Sequence, residues 1–177
     1  MASEISISGL KELDDILKTL PAKIEKNVMR GAMRAGLNEI RTEAKAQLTS
    51  GGHVKTGELQ RSVRVSFVRK SEKFGFVRGK VTAGNNKAWY AHLIEFGTGS
   101  FYAGKGSKSK RKPYEIKPKS RKSLFFAGLA KETVTHPGIH PSPFMRTAFD
   151  SKSAAAIKAF ADYMTKRIPK ELKKVGR

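Results

Sequence analysis

Apolar and small residues recur at helical spacing from Ala22 to Leu48 without interruption, and this run constrains the fold more than any other feature. Ile24, Val28, Ala32, Ala35, Ile40, Ala44 and Leu48 form the stripe, and the positions between them are largely charged. That pattern predicts one amphipathic helix. At 1.5 Å per residue it is roughly 40 Å long, a strut rather than a core filler. Gly31, Ala32, Ala35 and Gly36 make its middle small-sided, which permits close approach by another element. Gly51-Gly52 supplies the stop. A chain of 177 residues built around such a strut fits one domain with extensions, and it is long enough to bury a core.

The remaining elements follow from shorter patterns. Ser8 caps a short helix with Leu10, Leu13, Ile16, Leu17 and Leu20 on one face, and Pro21 breaks it. Thr56 to Ser62 reads as a capped single turn. Val63, Val65 and Phe67 alternate with Arg64, Ser66 and Val68; a second run holds Phe74, Phe76 and Val81, joined across Lys70-Ser71-Glu72-Lys73. This predicts an antiparallel hairpin. Asn85-Asn86 is a turn, and residues 89–96 read as a strand or a short helix. Residues 114–118 and 123–127 read as two short strands around a basic turn, and the Pro-rich residues 136–143 as extended chain. A final helix starts near Pro143, carries Phe144, Ala148, Phe149, Phe160 and Met164 on its apolar side, and stops near Pro169. There is no internal repeat. The predicted class is α+β: a small antiparallel sheet flanked by a long N-terminal helix and a C-terminal helix, with a long basic loop or hairpin extension. A single domain is expected over residues 1–168, with the basic insertion at 100–122 and a basic tail at 169–177.

Charge is the second constraint. Lys and Arg number 36 against 15 acids, for a net +21 and a pI near 10.4. Residues 1–62 are net +2, 63–99 are +5, 100–122 are +8, 123–165 are +1 and 166–177 are +5. The excess sits in two segments, so the partner sought is a polyanion or an acidic protein, met locally. In residues 100–122, Lys105, Lys108, Lys110, Arg111, Lys112, Lys117, Lys119, Arg121 and Lys122 stand against one acid, Glu115. They suit phosphate contacts that read no sequence, with affinity falling steeply in salt. Tyr102 and Tyr114 are the tyrosines of this stretch, a weak basis for base stacking.

Other chemistries are poorly supplied. The chain has no Cys, which excludes disulfides, thiolate zinc sites and thiol catalysis. No apolar run approaches the length of about 18 residues needed to span a bilayer. The N-terminus lacks the basic-then-apolar pattern of a signal peptide, so no membrane association is expected. Of four histidines, His53, His92, His136 and His140, the last two lie four apart, a zinc-ligand spacing on a helix. Pro137, Pro141 and Pro143 forbid that helix, and the expected role is to shape a rigid segment. His92 and Glu95 suggest an acid–base pair, but no nucleophile accompanies them. Glu95 is expected instead as a structural ion-pair partner or subunit contact. Gly97-Thr98-Gly99 and Gly104 to Gly106 lack the framing of a phosphate loop. No catalytic residue, metal or cofactor is expected.

The motifs that bracket the basic segment carry a resemblance. They are Tyr90-Ala91-x-x-Ile94-Glu95-Phe96-Gly97-Thr98, then Ile116-Lys117-Pro118 with Leu124-Phe125-Phe126, then His136-Pro137-Gly138 with Pro143-Phe144-Met145-Arg146-x-Ala148. With Gly9-Leu10-x-x-Leu13 and Thr56-Gly57-x-Leu59-x-x-Ser62, and in this order from about Leu10 to Ala161, they resemble the tail-completion (head–tail joining) family of long-tailed bacteriophages. The resemblance implies a non-enzymatic virion protein that forms a ring, hexameric in the family, at the head-proximal end of the tail. The implied partners are further copies of itself, the tail tube or tail terminator protein, the head connector, and the double-stranded genomic DNA in the channel. The implied location is the virion, and the host cytoplasm during assembly. The longer, more basic segment after Gly99 departs from the family pattern. Trp89, Tyr90, Ile94 and Phe96 are expected in the core or at a subunit interface, with Glu95, Gly97, Thr98, Pro137, Gly138, Pro143 and Phe144 completing the motifs. Two other readings compete: a sequence-nonspecific nucleic-acid-binding protein acting through its charge, and a metal-dependent enzyme using His136 and His140.

Overall fold

A computed structural model describes residues 22–68, 77–104, 112–119, 122–126 and 128–175. The short helix expected before Pro21, the turn at Lys70 to Lys73 with Phe74 and Phe76, and the cations Lys105, Lys108, Lys110, Arg111 and Arg121 lie outside the described residues. The described elements are α1 (Ala22–Ser50), α2 (Glu58–Ser62), β1 (Arg64–Phe67), β2 (Gly79–Thr82), α3 (Ala91–Phe96), β3 (Tyr114–Ile116), β4 (Leu124–Phe126), β5 (Leu129–Lys131), β6 (Val134–His136) and α4 (Phe144–Val175). The class is α+β, as the patterns predict. The described strands pair as three separate antiparallel ladders rather than as one sheet: β1 with β2, β3 with β6, and β4 with β5.

The long helix is present and runs to Ser50. Its buried positions are Val28, Ala32, Gly36, Ile40, Ala44 and Leu48, one every four residues, while Ala35 of the expected stripe is half-buried. Four-residue steps advance about 40° around a helix with 3.6 residues per turn, so the buried stripe winds around α1. The helix ends in a Schellman motif. Gly52, with φ +70°, donates to Thr49 O at 3.1 Å, and His53 N donates to Leu48 O at 3.0 Å.

The chain forms two compact units. The first comprises Met1–Glu43, Arg64–Thr82 and Ser151–Arg177. Here Val28 and Ala32 of α1 pack with Met164 and Ile168 of α4, surrounded by Ile24, Met29, Phe160 and Tyr163. The small residues act as the spacing suggests. Gly31 lies against the Tyr163 ring, and a Cβ on Gly36 would stand 2.6 Å from Ala156 O. β1 and β2 pair with Val65 opposite Val81 and Phe67 opposite Gly79. The Arg30 and Arg34 guanidiniums lie 5.8 and 5.4 Å from the Phe67 ring centre.

The final helix corrects the expected stop. It continues through Pro169 to Val175, 32 residues in all. Proline removes the N–H that would bond the Thr165 carbonyl. Packing on both sides of it outweighs that loss: Ile168 is buried in the core cluster, and Glu171 is buried with Arg167 at 2.7 Å and Lys174 at 3.5 Å. Phe149, expected on the apolar side, is 57% exposed.

The second unit comprises Ala44–Val63 and Ala83–Asp150. Its buried apolar residues are Ala44, Leu48, Leu59, Val63, Ala88, Ala91, Phe144 and Ala148. The turn at Thr56 is helical over Glu58–Ser62, with Gly57 rather than a side chain at its N-cap. Ser62, buried, accepts from Gly84 N at 2.9 Å and donates to Leu59 O at 2.6 Å. Of residues 89–96, Ala91–Phe96 is helix and Trp89-Tyr90 a turn leading into it. A further correction concerns the two strands expected around the basic turn. β3 pairs with β6, Tyr114 opposite His136, and β4 pairs with β5, Leu124 opposite Lys131.

Candidate partner-docking site

The two motifs that flank the basic segment close on each other as a clamp, with Glu95 at its centre. α4 begins at Phe144, directly after Pro143, which has no side chain able to cap the free N–H groups of the first turn. Glu95 caps them from about fifty residues upstream. Its carboxylate accepts from Met145 N at 2.8 Å and from Arg146 N at 3.2 Å, the second and third positions of the helix. The negative charge also suits the positive end of the helix dipole. Arg146 Nε donates to the same carboxylate at 3.2 Å, its Nη2 donates to Glu95 O at 3.3 Å, and its guanidinium lies 5.4 Å from the Phe96 ring centre. The Glu95 side chain is only 8% exposed, so this expected ion-pair partner is also a remote helix cap.

Backbone bonds close the rest of the clamp. Ser142 N donates to Ile94 O at 2.8 Å, and Thr98 N donates to Ile139 O at 2.9 Å. Ile139 N donates to Thr98 Oγ1 at 3.0 Å, and Ser100 N donates to Pro137 O at 2.7 Å. Two glycines make this contact possible. Gly97 has φ +70°, and a Cβ there would stand 2.6 Å from Ile139 O; Gly138 has φ +114°, and a Cβ there would run into Thr98 O.

The histidines are used within this framework. His140 stacks on Phe101 with ring centres 3.6 Å apart. His136 stacks on Tyr114 at 5.2 Å, and its Nδ1 accepts from Gly138 N at 3.0 Å. The two rings therefore serve different aromatic partners. His92 Nδ1 lies 2.9 Å from Trp89 O, and Glu95 is committed to α4, so these two do not form an acid–base pair. Among the described residues no group of three or more His, Cys, Asp or Glu is placed to hold a metal ion.

From the root at Ser100 and Pro137 the chain leaves and returns as an arm. Ile116 faces Val134, and the next pair outward is Leu124 with Lys131. Seven residues separate these pairs on the outgoing side and two on the return. Gly128, at the tip, has φ +80°. Lys112, Lys117, Lys119 and Lys122 are exposed on the outgoing side. Lys117 meets Glu115 at 3.6 Å, an exposed pair of little energetic weight. Sequence reasoning singled out these cations but not the apolar side chains among them. Tyr114, Ile116, Phe125 and Leu129 are all exposed, Phe125 at 82% and Leu129 at 60%. The signal in the sequence is a set of apolar residues within and just after the basic segment, whose pattern alone reads as strand.

Of the residues expected in core or interface, Phe144 is buried, Tyr90, Ile94 and Phe96 are half-buried, and Trp89 is 64% exposed. Trp89 stands edge-on to Tyr90 with ring centres 6.1 Å apart. A recess of about 230 Å³, lined in part by His53, Lys55, Tyr90 and Ile94, was not foreseen.

Residues 11–97 match the model of the family described as "Bacteriophage HK97-gp10, putative tail-component". The motifs after Gly97 lie beyond that match. No curated protein and no solved structure matches the chain.

Proposed function

We propose, from the match of residues 11–97 to the bacteriophage HK97-gp10-like putative tail-component family, that this chain completes the tail and joins it to the head. The coarse role is that of a structural tail protein of the virion. The finer reading is a homo-oligomeric ring, six copies as in the resembling family, at the head-proximal end of the tail, between the tail tube or terminator and the head connector. Double-stranded DNA passes through its channel, and assembly takes place in the host cytoplasm. The role is structural rather than enzymatic. Among the described residues no helix is long and apolar enough to cross a membrane.

The family match carries this reading, and the clamp and arm support it. The clamp holds both ends of the arm against one body, and a ring would repeat that arm around one axis. Exposed cations meet a charged partner only within a screening length of about 8 Å at physiological salt, which an arm that reaches outward provides. Exposed Trp89 offers apolar area for contact between subunits or with a neighbouring ring.

Electron microscopy of particles assembled without this chain tests the proposal. Filled heads and separate tails are expected, with joining restored when the protein is added back. Normally joined particles in its absence would overturn it. A competing role as a free, charge-driven DNA binder predicts tight, salt-sensitive binding of any duplex by the isolated chain, and its absence at about 0.1 M salt counts against that role.

A further inference from the structure

The arm carries two chemistries, and a protein surface satisfies both without distortion. Its cations suit any polyanion. Its tip does not: Phe125 is 82% exposed and Leu129 60%. Phe126 and Leu129 are directly paired, as are Phe125 and Ala130, so Phe125 and Leu129 project from opposite faces of the hairpin. A DNA backbone offers phosphate oxygens but no cover for apolar side chains, and wedging one between base steps requires the duplex to be unstacked and kinked. A second copy of this chain is also a poor occupant. None of the five stretches into which its charge divides is net negative, and residues 100–122 are net +8, so two copies would set like charges together. An isolated two-stranded hairpin is marginal in water, which favours one that is covered in use.

We propose that the β4–β5 tip is a plug that inserts into an apolar slot of a different virion protein. The rim of that slot carries carboxylates facing Lys117, Lys119, Lys122 and Lys131. Because Phe125 and Leu129 lie on opposite faces, the slot encloses the tip rather than underlying it. Apolar contact gives the plug its holding strength, and the lysines speed and orient its approach. This inference rests on the reading as a head–tail joining protein and names the partner of its arm as protein, not DNA.

The test uses full-length protein, wild type and Phe125→Ser/Leu129→Ser, with three probes: tails assembled without this chain, heads from the same virus, and a short blunt DNA duplex. Both changed residues are exposed, so circular dichroism and thermal melting should match wild type. The expected result is a loss of about tenfold or more in binding to tails or heads, with duplex binding and its salt dependence unchanged. A companion variant, Lys117→Glu/Lys119→Glu/Lys122→Glu, should mainly slow association with the same particle. If wild type binds a particle and the tip variant binds it equally well, the plug is refuted while the joining role stands. Parallel loss of duplex binding by the tip variant makes DNA the target and also refutes it. If wild type binds neither particle, the joining role falls and takes the plug with it.

Discussion

The clamp around Glu95 and the arm that springs from it belong to the same compact unit, yet they are built on opposite terms. In the clamp, a nearly buried carboxylate satisfies two helix N–H groups and a guanidinium, and backbone bonds join residues 94–100 to 137–142. In the arm, three-residue strands leave Tyr114, Ile116, Phe125 and Leu129 in water. Solvation explains the contrast. A buried charge is tolerated only where the chain itself supplies its partners, whereas exposed apolar area lowers the free energy once another surface covers it. Stability therefore resides in the clamp and recognition in the arm.

Substitutions should separate the two regions by their effect on unfolding. The largest effect belongs to Gly138→Ala, which forces a side chain into a backbone conformation at φ +114° and against the Thr98 carbonyl. Denaturant unfolding should show a loss of about 3–5 kcal/mol. An unchanged midpoint would mean that the clamp yields and is not the rigid partner in this contrast. Glu95→Ala comes next. It strips three donors of their acceptor at the start of α4, for an expected loss of about 2–3 kcal/mol, with Glu95→Gln recovering part of it. Thr98→Val removes the single bond from Ile139 N and should cost about 1 kcal/mol in the same assay. Smallest of all, Phe125→Ser should leave stability within about 0.5 kcal/mol. A larger loss would show that the tip packs on the body and would erase the distinction.

Local periodicity explains which of these features could be read from residues alone. α1 was legible because Val28, Ala32, Ile40, Ala44 and Leu48 repeat over many turns, and Gly51-Gly52 marks its end. The structural role of Glu95 was legible from its isolation among cations, but its work as a helix cap was not, because the helix it caps begins about fifty residues later. The arm failed for a similar reason. Tyr114 to Ile116 pairs with Val134 to His136 across the intervening β4–β5 hairpin, and three-residue strands carry too little alternation to announce a distant partner. Pro169 misled because a strong local stop signal was overridden by tertiary contacts at Ile168 and Glu171. Four of the nine candidate cations, Lys112, Lys117, Lys119 and Lys122, lie among the described residues, and all four are exposed. The apolar tip just after them carries no signal beyond a short strand.

The hydrogen bond from Ser100 N to Pro137 O has a consequence for engineering and for divergence. Together with the bond from Ala103 N to Phe96 O at 2.7 Å and the stack of Phe101 on His140, it closes the root of the arm, so the stretch beyond Gly104 is a removable cassette. Closing a loop costs only about 0.6 kcal/mol more for each doubling of its length. Foreign hairpins, affinity tags or the corresponding stretch of another virus could be spliced between Gly104 and His136 at small cost to the body. Such transplants would redirect which neighbour the protein grips without redesigning the scaffold.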